Sequence, residues 1–86
     1  MDVPYDKYKT IEDFIAEIDS NFDIEFEYGG KYFSICPTLK GPSIAEWGKE
    51  DETEATFENG EALVNNYVIN GRLLKDIVKE INVLSH

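Results

Sequence analysis

Eighty-six residues make one small domain, and a chain of this size buries only about 60–65% of its unfolded surface, so its stability margin is thin. With 42% apolar and 13% aromatic residues the chain has enough for one packed core, which excludes a disordered composition. Eighteen acids against eight bases give a net charge of −10, which repels phosphate, excludes direct binding to DNA, RNA or an anionic membrane, and attracts a basic protein partner.

Residues 1–9 hold Pro4, Tyr5 and Tyr8 among alternating charges and read as an ordered arm. Thr10 opens the first helix: its hydroxyl caps the end, and Asp13, three residues on, reaches back to its amide as in a capping box. Ile11, Phe14, Ile15 and Ile18 follow helical spacing and give one apolar stripe, which Ser20 and Asn21 end. At Phe22 the period changes to two. Phe22, Ile24, Phe26 and Tyr28 alternate with Asp23, Glu25 and Glu27, the pattern of a strand with one buried face. Gly29-Gly30 supplies a two-residue hairpin turn, and Lys31 to Cys36 is the returning strand. The turn sets the register. Ile24 faces Ile35 and Phe26 faces Phe33 on the core side; Asp23 faces Cys36, Glu25 faces Ser34 and Glu27 faces Tyr32 on the other.

Pro37 to Pro42 reads as a turn or short loop, because two prolines and a glycine do not extend a central strand. Ser43 to Trp47 is the third strand, Gly48 to Asp51 turns, and Glu52 to Phe57 is a weaker fourth strand with Ala55 and Phe57 inward. Asn59 caps a short helix that runs to about Asn66. Asn70-Gly71 starts a last helix whose face is Leu73, Leu74, Ile77, Val78 and Ile81; Asn82 to His86 is a tail that adds a pairing or packs loosely. The order α-β-β-β-β-α-α predicts an α+β domain. Its antiparallel meander of three to four strands packs against an N-terminal helix and two C-terminal helices.

The chemistry expected of such a chain is sparse. The one histidine, His86, is terminal, so no fixed general base and no histidine metal site are expected. Cys36 has no histidine to activate it and reads as a strand thiol. Gly29-Gly30 lies between strands and is turn chemistry, not a phosphate cradle. Asp19-Ser-Asn21-Phe-Asp23 matches the start of a calcium loop, but Ile24 stands where the sharp turn needs glycine and Gly30 where the last ligand should be glutamate. No cofactor follows from these residues. The single cysteine and an N-terminus without a basic-then-apolar region fit a reducing cytoplasm.

What remains is the acid distribution. Glu12 to Glu27 carries seven acids and no base, and Glu46 to Glu61 seven acids and one base. On the first strand Asp23, Glu25 and Glu27 project to one side at about 6.6–6.8 Å spacing, with Tyr32 beside them. Such a row can imitate a phosphate strand in a basic groove, or keep a wet sheet face soluble. The second segment adds Glu46, Glu50, Asp51, Glu52 and Glu54 around Trp47, which is either a core anchor or an interface hot spot. The acidic run at Glu50 to Glu54 also reads as a solvated turn before it reads as a loose calcium site.

At IEFEYGGKYFSI (Ile24–Ile35) and FENGEALVNNYVINGRLLKDI (Phe57–Ile77) the chain resembles uncharacterised small acidic proteins of low-GC Gram-positive bacteria and of their phages and mobile elements. The resemblance implies a bacterial or phage origin and brings no activity with it. The function expected from the residues is a protein-binding module, of inhibitor, immunity or nucleic-acid-mimic type, that covers a basic site on its partner. Asp23, Glu25 and Glu27 are then expected to matter to binding and little to folding. The alternative is a homo-oligomeric assembly protein that makes contact through Tyr5, Tyr8, Trp47 or the last helix.

Overall fold

The computed structural model describes residues 7–85, so the arm before Lys7 and the terminal His86 lie outside the described residues. Helix α1 spans Ile11–Asp19 and begins where Thr10 Oγ1 accepts the Asp13 amide at 3.1 Å. It buries Phe14 and Ile18, with Ile11 and Ile15 half-buried beside them. After it, Asn21 takes a positive φ of 66° and redirects the chain into β1, Ile24–Tyr28. Pairing begins only at Ile24. Phe22, expected inward from its alternation, therefore stands outside the sheet and is 55% exposed, and Asp23 precedes the first paired residue.

Strand β2, Lys31–Thr38, returns from a turn in which Gly29 and Gly30 both have positive φ, and its register with β1 is the expected one from Ile24–Ile35 to Tyr28–Lys31. The prolines do not end it. Strand β3 is Gly41–Glu46, and Pro37 faces Pro42 across the β2–β3 ladder. Two facing prolines suit the antiparallel pair that exchanges no hydrogen bonds, so the expected loop shrinks to Leu39-Lys40.

The expected fourth strand divides. Glu50–Thr53 forms a single-turn helix, α2, and only Ala55–Thr56 pairs with β3, as β4. Three acids in the first turn suit a helix N-terminus and are poor strand formers, which explains the change. Helix α3, Gly60–Asn66, starts on Asn59 as expected, with the Ala62 amide 2.8 Å from Asn59 Oδ1.

Asn70-Gly71 does not start a helix. It is the turn of a small hairpin between β5, Val68–Ile69, and β6, Arg72–Leu73, with both turn residues at positive φ. Only Leu74–Ile77 is helical, as α4. The tail becomes β7, Asn82–Ser85, which lies antiparallel to β1 with a bulge at Glu25/Phe26. The sheet thus has five strands in the order β4-β3-β2-β1-β7, and the class is α+β.

One face of this sheet carries the core. Phe26 and Phe33 stack at 5.2 Å between ring centroids, Phe14 meets Phe26 edge-on, and Tyr67 meets Phe33 edge-on. Leu63, Val64, Leu74, Ile77 and Ile81 from the later elements are fully buried in the same cluster. Truncating one of the larger of these to alanine costs about 2–5 kcal/mol. The two helices α1 and α3 approach closely because Gly60 has no side chain: a Cβ there would meet Ile15 O at 3.1 Å and Ile18 Cβ at 3.2 Å. The Asp19 carboxylate also accepts the Gly60 amide at 2.7 Å, so an acid at the end of α1 caps the start of α3.

Gly41 is the most crowded of the glycines. Its φ is 121°, and a Cβ would stand 2.0 Å from the Phe57 carbonyl oxygen. Gly30, with φ of 84°, has open space around it. Gly41→Ala is therefore expected to destabilise the fold by about 3 kcal/mol or more, against about 1 kcal/mol for Gly30→Ala. Urea unfolding of both variants checks the difference; equal losses would show that the Phe57 carbonyl does not crowd this site.

Candidate functional site

The sheet has a second face, turned away from α1 and α3. Register places Glu25 and Glu27 of β1, Tyr32, Ser34 and Cys36 of β2, and Ser43 and Ala45 of β3 on it. Just past β3, Trp47 continues the ladder through its amide to Tyr32 O at 2.8 Å and lays its ring on Tyr32, centroids 5.4 Å apart and planes 25° apart. Its indole N–H donates to Ser34 Oγ at 2.5 Å. Trp47 is thus no core anchor: it is 45% exposed and Tyr32 42%, so the pair forms an aromatic platform on the outer surface.

The expected acidic residues take three different places. Asp23 and Glu25 lie beside Cys36 and have no hydrogen-bond partner among the described residues. Partial burial of the Cys36 thiol comes first, and the charges of Asp23 and Glu25 add to it, in holding the thiol above its ordinary pKa. A thiol kept protonated in this way lacks the character of a nucleophile. Glu50 and Glu54 approach the same face from the other side. They line a hollow of about 210 Å³ together with Ser34, Cys36, Ser43 and Ala45. Glu50 also accepts the Gly48 amide at 3.1 Å, and Ser43 Oγ donates to Glu54 at 3.4 Å. Cys36 is where the two acidic segments meet, although 23 and 54 are far apart in the chain. Asp51 and Glu52 are exposed on α2 outside this hollow.

Glu46 belongs elsewhere. It faces Phe33 across the ladder, so its side chain is on the core side of the sheet. There burial raises the pKa of the Tyr67 hydroxyl, the Thr53 side chain lowers it and the Glu46 charge raises it, and the hydroxyl itself donates to Thr53 O at 3.1 Å. The grouping of Glu46 with Trp47 in one binding patch is therefore corrected: adjacent strand residues point to opposite faces.

Glu27 is on the outer face but is already engaged. One carboxylate oxygen accepts the Gly30 amide at 2.8 Å and the other the Asn82 side-chain amide at 2.6 Å. The Asn82 bond first, then the Gly30 bond, lowers its pKa below the ordinary glutamate value. Glu27 thus locks the hairpin turn and ties β7 to β1. These two bonds argue against its expected indifference to folding. The signal was in the sequence, since a glutamate three residues before the second turn glycine is within reach of that glycine's amide.

The contacts expected of an assembly protein are also largely used within the chain. The Tyr8 hydroxyl donates to Glu17, and Tyr8 packs on Phe14 at 4.7 Å. The apolar residues of the last segment lie in the core, and Tyr5 falls outside the described residues. Sequence reasoning missed Arg72, which bonds Tyr28 Oη at 3.2 Å, Glu80 at 3.1 Å and Asp76 O at 3.3 Å, and so pins the small hairpin to the end of β1. Among the described residues, no three His, Cys, Asp or Glu side chains gather where they could hold a metal ion, and no helix is long and apolar enough to cross a membrane. Comparison with family models, curated proteins and solved structures found no match to the chain.

Because the folded pKa of Glu27 lies below its unfolded value, its contribution to stability is complete above the ordinary glutamate range and is lost as pH falls through the depressed value. Glu27→Gln is expected to destabilise the protein by about 1 kcal/mol at neutral pH, a figure reduced from that of buried charged hydrogen bonds because the site is near the surface. The gap between variant and parent should close on acidification through that range. Urea midpoints measured from pH 7 to pH 3 check it; a gap that stays constant means the carboxylate charge adds nothing.

Proposed function

We propose that the protein is a small acidic binding module that covers a basic site on a protein partner through the outer face of its sheet, in the manner of an inhibitor, immunity protein or nucleic-acid mimic. The observation that carries this reading is the convergence of Asp23 and Glu25 from one acidic segment with Glu50 and Glu54 from the other, around the exposed Tyr32–Trp47 platform. Aromatic anchors ringed by charge are the usual anatomy of a protein interface: the rings bury area on contact, and the charges steer and orient the partner. A partner rich in Lys or Arg matches the net charge of −10, and the lone free thiol suits a reducing cytoplasm as the place of action.

The immobilised protein is expected to retain a basic nucleic-acid-handling protein from a bacterial lysate at low salt and to release it at high salt, since exposed charges are screened beyond about 10 Å at 0.1 M ionic strength. The double variant Asp23→Lys/Glu25→Lys should lose about tenfold or more of that retention while its circular dichroism stays unchanged, as neither acid holds the fold. Retention that is undiminished by salt, or by the double variant, would overturn the reading.

A second reading, a homo-oligomeric assembly protein, draws on one observation: among the described residues, β7 is paired on one side only. Sedimentation of the pure chain is expected to give a monomer; a dimer that persists at low concentration would favour assembly instead.

A further inference from the structure

The hollow beside Trp47 narrows what the partner must present, on the reading that the outer face is where it binds. It is lined by Ser34, Cys36, Thr38, Ser43, Ile44 and Ala45, together with the acids Glu50 and Glu54. Trp47 adjoins it, because the indole N–H is bonded to Ser34 Oγ, one of the lining groups. At about 210 Å³ it has room for one side chain and none for a strand or helix. Nothing in it offers a cation: Lys49 is outside the lining, and every charged group that borders it is a carboxylate.

We propose that this hollow seats one arginine side chain of a basic partner protein, with the guanidinium reaching Glu50 and Glu54 along the Trp47 ring. Three features select arginine over lysine. A guanidinium is planar and stacks on an indole, whereas an ammonium is a compact and strongly hydrated charge. Its fork of donors can serve two acceptors at once, and two carboxylates flank the hollow. It is also the more weakly hydrated cation, so less is lost when small apolar walls replace water. Asp23 and Glu25, on the far side of Cys36, add attraction for any positive charge and do not distinguish the two side chains. A nucleic acid is disfavoured by the same carboxylates, and among the described residues a metal ion finds no third His, Cys, Asp or Glu ligand.

The test uses the full chain with oligoarginine and oligolysine peptides of equal length, titrated at low ionic strength. Trp47 is the one tryptophan, so its emission reports on the outer face next to the hollow, and the variants below separate the two. Oligoarginine is expected to bind about tenfold more tightly than oligolysine and to shift the Trp47 emission, a ratio that corresponds to about 1.4 kcal/mol. The double variant Glu50→Gln/Glu54→Gln should bring the two peptides to equal affinity, while Asp23→Asn/Glu25→Gln should weaken both alike. Alkylation of Cys36 with iodoacetamide, carried out at alkaline pH because the thiol is held above its ordinary pKa, adds bulk to the hollow and no charge and gives a second route to the same loss of preference without a change of sequence. If the arginine preference survives both the Glu50/Glu54 variant and alkylation, or if both peptides bind equally with Trp47 emission unmoved, the hollow is not the seat and the broader acidic-face reading stands alone. If neither peptide binds the parent protein, both readings fall.

Discussion

A hairpin closed by two glycines at positive φ has no freedom to slip, and here a slip would be ruinous. Moving β1 by one residue against β2 would turn Phe26 to water and bring Glu25 and Glu27 under the helices. The turn, the Glu27 carboxylate that accepts the Gly30 amide, and the stacked Phe26–Phe33 pair all hold the same register. Everything else is arranged on that choice. The core face receives α1, α3 and the later apolar segment; the outer face receives the acids and the Tyr32–Trp47 platform. The final strand is then laid along the free edge of β1 by Asn82, which bonds the same Glu27 that fixes the turn. One carboxylate therefore couples the local hairpin to the most distant strand in the sequence.

A net charge of −10 on so small a fold works against compactness, and the protein meets this by giving several acids structural work. Asp19 caps α3, Glu50 closes the turn after Trp47, Glu17 takes the Tyr8 hydroxyl, and Glu80 pairs with Arg72. The exposed Arg72–Glu80 pair adds little by itself, but Arg72 also bonds Tyr28 and the Asp76 carbonyl, so its value lies in joining three segments. Removing acids wholesale would then confuse binding with folding. Asp23 and Glu25, whose carboxylates hold no structural bond among the described residues, separate the two, and Gln at Glu50 and Glu54 keeps the acceptor while it removes the charge.

How much of this could be read from the residues depended on how local the deciding interaction is. The β1–β2 register, the Thr10 and Asn59 caps and the apolar stripe of α1 rest on groups a few residues apart, and all are legible. Asn70-Gly71 was legible in principle: an Asn-Gly pair between Val68-Ile69 and Arg72-Leu73 is a strong hairpin signal. The apolar run from Leu73 to Ile81 concealed it, because a short buried run fits either period. The prolines misled for a different reason. Pro37 and Pro42 are tolerated because they meet at a pair that exchanges no hydrogen bonds, a fact about register and not about either residue. The convergence of Glu25 and Glu54 on Cys36 was beyond reach, since it needs β3 and α2 to be placed first. Glu46 shows the limit from the other side: one step along a strand moved it from the acidic surface to the neighbourhood of Tyr67.

The edges of the sheet bear on which surface is left for recognition. An exposed strand edge invites another chain to pair, and proteins blunt such edges by shortening, bulging or covering them. On one side β4 pairs only at two residues, and beyond it Thr53 Oγ1 of α2 takes the Glu46 amide at 2.8 Å, so β3 presents little free backbone. On the other side β7 is short and carries the register shift opposite Glu25 and Phe26. Strand addition is thus hindered along the β3 edge and has only four residues to work with along β7. The outer face has the opposite character. Among the described residues the Tyr32–Trp47 pair stays partly exposed, and stacking covers only part of each ring. An aromatic surface kept half in water loses hydrophobic free energy that a bound partner would recover. In a fold with a thin margin of stability, that cost is one the proposed contact through this face would offset, whereas solubility alone needs only the acids.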